Sequence, residues 1–108
     1  MAKVLLIESR DPFEHAQTAH GTELAKGLLE QKDQVTLLLV QNGVLPARSC
    51  PASAPLSELA RLGTRVLADD LSLRERGIDA ARLADGVRAA SIDEVVDLLA
   101  AGAKVVWL

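Results

Sequence analysis

The chain has 108 residues and a net charge of −3, with 49% hydrophobic, 25% charged and 2% aromatic residues. This balance is ordinary for one globular unit, which at this length buries roughly 65% of its unfolded surface. It excludes a basic footprint for nucleic acid and a platform of stacking aromatics, since Phe13 and Trp107 are the only two.

The first residues enter a strand at once, with no basic segment leading into the apolar core of a secretory signal. No apolar run approaches the ~20 residues of a membrane span, so no membrane partner is expected. Cys50 is the single cysteine. It cannot form an internal disulfide, and a reducing cytoplasm is the expected setting.

Lys3 to Glu8, KVLLIE, is a continuous apolar run, as expected of a strand covered on both faces. Asp11-Pro12-Phe13-Glu14 has the form of a helix start: Asp11 can cap, Pro12 suits the first helical position, and Glu14 stands three residues on. Alternatively the helix begins nearer Ala16. It carries Ala16, Ala19, Leu24, Leu28 and Leu29 at helical spacing and ends around Lys32. Gly21 and Gly27 weaken it by about 1 kcal/mol each relative to Ala.

Gln34 to Val40, QVTLLLV, is the second strand, and a right-handed crossover should join it in parallel to the first. Gln41 to Ala54 is the least regular part, with Asn42-Gly43, Pro46, Cys50 and Pro51. Pro55 opens a short helix with Leu56, Leu59, Ala60 and Leu62 inward, ended by Gly63.

A buried strand from Arg65 to Ala68 then runs into Asp69 and Asp70. A helical turn with the S-x-x-E capping-box form, Ser72 to Glu75, follows and stops at Gly77. Ile78 to Gly86 reads as a short helical segment and Val87 to Ala90 as a short strand. A second capping box, Ser91 to Glu94, opens a helix with Ile92, Val95, Val96, Leu98 and Leu99 on its apolar face and Gly102 as stop. Lys104 to Leu108 is a last strand.

Strands alternating with helices predict a single α/β domain over residues 1–108. It should have three layers, with a mostly parallel sheet of about five strands and helices on both faces. A central first strand, with the second and third on either side, would bring Glu8 and Ser9 near Asp69 and Asp70. Their crevice at the carboxyl ends of the strands is the candidate site.

Several residues there invite chemistry. Acidic side chains at strand ends suit Mg²⁺ or acid/base work. The competing reading is that Asp70 caps the turn and Asp69 faces solvent, which assigns no metal. His15 stands near the crevice as a proton carrier or a surface capping residue. His20, five residues on, points elsewhere on the same helix. No glycine-rich phosphate loop follows the first strand, so no nucleotide or other cofactor is expected. Arg10 and Arg48 can bind a small anion from the rim. Cys50 lies beside Arg48, whose charge favours a thiolate there. Trp107, next to last on an edge strand, suits a subunit anchor, and association would cover that edge.

The run LLLVQNGV from Leu37 to Val44, Arg76-Gly77-Ile78 after the third strand, and the closing VVWL resemble the DsrE/DsrF-like sulfur-relay family over nearly the whole chain. The resemblance implies small subunits of trimers, hexamers or mixed complexes. It also implies that active members pass sulfane sulfur as a persulfide on a cysteine just after the third strand. Counted back from Arg76-Gly77-Ile78, that cysteine falls near Asp69, and no cysteine follows Pro51. A carboxylate cannot carry a persulfide.

The expectation is therefore a divergent, non-catalytic binding or partner subunit, a homo-oligomer with a sulfur-relay protein as partner. One alternative is a persulfide acceptor using Cys50. Another is a small-ligand or metal-binding protein using Glu8, Asp69 and Asp70.

Overall fold

Two runs with almost no polar residue become the strands on which the sheet is built. In the computed structural model, which describes residues 2–13 and 18–108, β1 (Lys3–Glu8) and β2 (Gln34–Leu39) are each buried along every residue after the first. β3 (Arg65–Asp69) lies on the far side of β2, followed by β4 (Val87–Ala90), and β5 (Lys104–Trp107) lies on the other side of β1. The order is β4-β3-β2-β1-β5 and every pairing is parallel.

The helices are α1 (Thr18–Glu30), α2 (Ala54–Leu62), α3 (Asp70–Glu75) and α4 (Asp93–Ala100). Strands β1 to β4 step in one direction, so right-handed crossovers place α1, α2 and α3 on one face. The return to β5 places α4 on the other. Two cores match this division. Val4, Leu6, Val35, Leu37, Leu39, Val66 and Ala68 pack with Ala25, Leu56, Leu59 and Leu73 of the first three helices. Leu5, Ile7, Leu38 and Leu67, of opposite parity along the strands, pack with Val95 and Leu98 of α4. The three-layer, five-stranded architecture is the one expected from the alternation.

Several local expectations change. The strand order does not place β1 between β2 and β3, because β2 separates them. The irregular stretch Gln41 to Ala54 is ordered as two 3₁₀ helices, Gln41–Ala47 and Pro51–Ser53, before α2 begins. Arg48 pairs antiparallel with Leu83 between them. Leu62 is exposed rather than inward, since it stands at the last residue of α2. The expected helix start at Asp11 to Glu14 runs into residues outside those described.

On α4 the apolar residues divide into two stripes. Val95 and Leu98 face the sheet, whereas Ile92, Val96 and Leu99 are exposed. Their i, i+4, i+7 spacing puts these last three on one side. Neither predicted capping box forms. The cap position of α4 is Ile92, and Ser91 Oγ accepts from the Asp93 N–H at 3.2 Å. Glu94 instead accepts from Arg65 at 2.8 Å and Arg88 at 3.2 Å, tying α4 to β3 and β4.

Two glycines are fixed by geometry. Gly77, at φ 65, follows α3 and closes it: its N–H donates to the Arg74 carbonyl at 3.1 Å and the Ile78 N–H to the Leu73 carbonyl at 2.9 Å. These two bonds are the Schellman pattern, so Arg76-Gly77-Ile78 has a backbone reason for its composition. Gly43 has no unusual φ, but a side chain on it would overlap the carbonyl oxygen of Glu8.

The two sites should therefore respond differently to alanine. Gly77→Ala meets open space and should cost only the left-handed backbone penalty, about 1 kcal/mol. Gly43→Ala must push one backbone off another, and a cost of about 3 kcal/mol is expected in chemical unfolding. Equal losses at the two positions would contradict this account.

Candidate functional site

The carboxyl ends of β2 and β3 are joined through one hydroxyl. The Gln41 N–H, just after β2, donates to Ser72 Oγ at 2.9 Å. Ser72 Oγ donates to Asp69 Oδ2 at 2.7 Å, and the Ser72 N–H reaches the same oxygen at 3.1 Å. Asp69 is thus the N-cap of α3 and Ser72 sits three residues on, buried at the centre of the junction. Neither expected cap is the one used: not Ser72 of the capping box, and not Asp70 with Asp69 facing solvent. Asp70 occupies the first turn, where its charge complements the helix dipole.

Arg76 adds a second tie. Its Nε donates to Asn42 Oδ1 at 3.1 Å and its Nη1 to the Ser72 carbonyl at 3.2 Å. The Gln41 backbone is held at φ 52, a left-handed conformation uncommon for a residue with a side chain. Ser72 and Arg76 thereby hold the bend that lets Gly43 pass over the end of β1.

The candidate residues do not converge on one crevice. Glu8 pairs with Leu39, which pairs with Ala68, so a whole strand separates Glu8 from the end of β3. Asp69 lies one residue beyond Ala68 and has the opposite parity. Glu8 is only 7% exposed and lines a cleft of about 350 Å³ between α1 and α2, with Arg10, Lys26, Leu39, Leu56 and Leu108. Ser9 lines a separate, shallow depression with Gln41, Asn42, Glu75 and Arg76. Among the described residues, no three or more His, Cys, Asp or Glu side chains are grouped to hold a metal ion.

His15 lies outside the described residues. Arg48 is exposed and lines a wide depression with Arg76 and Arg82. Cys50 is half-buried ahead of the second 3₁₀ helix, with its carbonyl accepting from Ser53 Oγ at 2.6 Å. It lines neither the Glu8 cleft nor the arginine depression.

The residues that sequence reasoning passed over are Gln41, Asn42 and Arg82. Gln41 and Asn42 belonged to an apparent loop, and the available signal was the Asn42-Gly43 pair directly after a strand. Ser72 was noticed for the wrong bond.

The cap makes a stability prediction. Asp69→Ala removes both acceptor contacts and should cost about 1–2 kcal/mol, whereas Asp69→Asn, which keeps a side-chain oxygen, should cost less than about 0.5 kcal/mol. Thermal unfolding of the two variants checks this, and an equal loss for both would mean that the charge matters more than the cap.

Solved structures share this fold across their length. A protein of unknown function from Methanobacterium thermoautotrophicum, MTH1491, is similar with a TM-score of 0.86 at 21% identity, with 100% of both chains covered. The ychN protein from E. coli gives 0.87 at 20% identity, again over 100% of both chains. A conserved protein of unknown function from Bacteroides thetaiotaomicron, BT1422, gives 0.78 at 14% identity, covering 98% of this chain and 94% of that one. At such identities the likeness speaks for the fold alone. No curated protein matches the chain. The sequence model of the DsrE/DsrF-like family, however, matches residues 2–108, and the chain belongs to the DsrE/DsrF-like family.

Proposed function

We propose that this chain is a binding or partner subunit in cytoplasmic sulfur relay, and not itself a sulfur carrier. The observation that carries the reading is Asp69. It stands near the position at which the resemblance implies the persulfide cysteine, and its carboxylate is engaged by Ser72 as the cap of α3. Sulfane transfer needs a thiolate that attacks the outer sulfur of a donor persulfide while the donor thiolate leaves. Asp69 offers no such nucleophile, and Cys50, the one thiol, stands at a different loop.

A partner subunit needs contact surface. Ile92, Val96 and Leu99 of α4 and Trp107 of β5, itself 64% exposed, leave apolar area in water. Burying one such side chain fully is worth roughly 1.5–3 kcal/mol. With β5 at an edge of the sheet among the described residues, this supports a homo-oligomer, and the family resemblance implies a trimer or hexamer. Light scattering at micromolar concentration should give a multiple of the chain mass, and a monomer would remove this part of the proposal.

Mass spectrometry after incubation with a low-molecular-weight persulfide tests the main reading. Cys50 should stay unmodified, while Asp69→Cys should gain the mass of one sulfur at the new cysteine. A sulfur on Cys50 of the unaltered chain would make it an acceptor and overturn the proposal. An Asp69→Cys chain that gains nothing would show that this position is not the vacated one.

A further inference from the structure

We propose that the arginine-lined depression beside the end of α3 docks an acidic segment of a partner protein, an inference that rests on the partner-subunit reading above. Arg48, Arg76 and Arg82 line one open depression of about 830 Å³ together with Asp79. In a chain of net charge −3, three arginines and a single carboxylate line it, with Arg48 Nε donating to the Leu45 carbonyl at 3.0 Å. That carboxylate is engaged locally, since Asp79 Oδ1 accepts from the Ala81 N–H at 2.9 Å. Glu75 lies across Arg76 in the adjoining depression.

Three cations elsewhere on the surface do have acidic partners. Lys26 pairs with Glu58, and Arg65 and Arg88 share Glu94. Among the described residues, no ion pair engages Arg48, Arg76 or Arg82. Their positions are nevertheless set by the fold. Arg48 and Arg82 lie on two segments held together by the Arg48–Leu83 bridge, with the Ser49 N–H donating to the Arg82 carbonyl at 3.0 Å and the Ala84 N–H to the Ala47 carbonyl at 2.8 Å. Arg76 is oriented by Asn42 Oδ1 and the Ser72 carbonyl.

The chemistry selects the occupant. A guanidinium is the planar complement of a carboxylate and binds it through two parallel hydrogen bonds. A small-molecule site usually encloses most of its ligand against apolar walls. This depression is open and mainly polar, with its cations on three separate segments. A polypeptide carrying several carboxylates can span all three, and such contacts favour orientation and encounter rate over tight affinity.

Fluorescence anisotropy with a labelled hexaglutamate peptide tests the proposal on the intact chain. The peptide should bind saturably at low ionic strength and be released by salt. The double variant Arg48→Ala/Arg82→Ala should weaken it about tenfold or more, the loss expected from removing charge-assisted contacts. Arg61→Ala, on the exposed side of α2, should leave it unchanged, and circular dichroism should show the double variant folded.

Absence of saturable binding, equal affinity in the double variant, or displacement by equimolar inorganic phosphate would each overturn the docking site. The last would indicate a small-oxyanion site instead. Failure of peptide binding with Cys50 still unmodified removes the docking site alone. A sulfur on Cys50 removes the partner-subunit reading whatever the peptide does.

Discussion

Parallel pairing of β1 with β2 and of β2 with β3 is the constraint from which the rest follows. A parallel pair needs a crossover that returns the chain to the starting edge, so every strand ends on the same edge of the sheet. The loops after β1, β2 and β3 are therefore neighbours whatever their sequences. That is why Gln41, Asn42, Asp69, Ser72 and Arg76, from two different strand ends, form one hydrogen-bonded junction. The same pairing demands two apolar faces, which KVLLIE and QVTLLL supply.

The direction of stepping has a second consequence. Three successive crossovers to one side load one face of the sheet with α1, α2 and α3, leaving α4 alone on the other. This thinner face uses a mixed attachment. Val95 and Leu98 bury against Leu5, Ile7, Leu38 and Leu67, while Glu94 is held by Arg65 and Arg88. The hydrogen bonds from Arg65 and then Arg88 hold the Glu94 carboxyl below its ordinary range. Because the folded-state value is depressed, this attachment is fully present above the ordinary carboxylate range and is lost as pH falls through the lower folded value. Exposed pairs of this kind are worth about 1 kcal/mol or less, so apolar packing does most of the holding.

At the end of β3 a carboxylate and a thiol would serve opposite purposes. Asp69 accepts two hydrogen bonds that secure α3 and, through Ser72, the loop after β2. A cysteine would bond more weakly and leave a nucleophile in the same place. On the partner-subunit reading, a position that serves chemistry in active relatives here serves the architecture. On the docking proposal, recognition at Arg48, Arg76 and Arg82 requires no reaction at Asp69.

Periodicity alone determined the strands, most helix boundaries and the three-layer class, because continuous apolar runs and glycine stops are local properties of the chain. The carboxylates at the end of the third strand made Thr64 to Gly77 the expected place for a site. Tertiary structure decided the rest. Strand order depends on which crossovers pack best, and a two-residue carboxylate motif carries no information about its neighbours across a sheet. β2 therefore came between Glu8 and Asp69 without any sequence signal. The capping assignment failed for a similar reason: Ser72 matches the local pattern of a cap, but its hydroxyl is claimed by Asp69 before it and Gln41 beyond it. Likewise the apolar residues of α4 look like one face in sequence, and only the distance to a single sheet surface sorts them into a buried stripe and an exposed one.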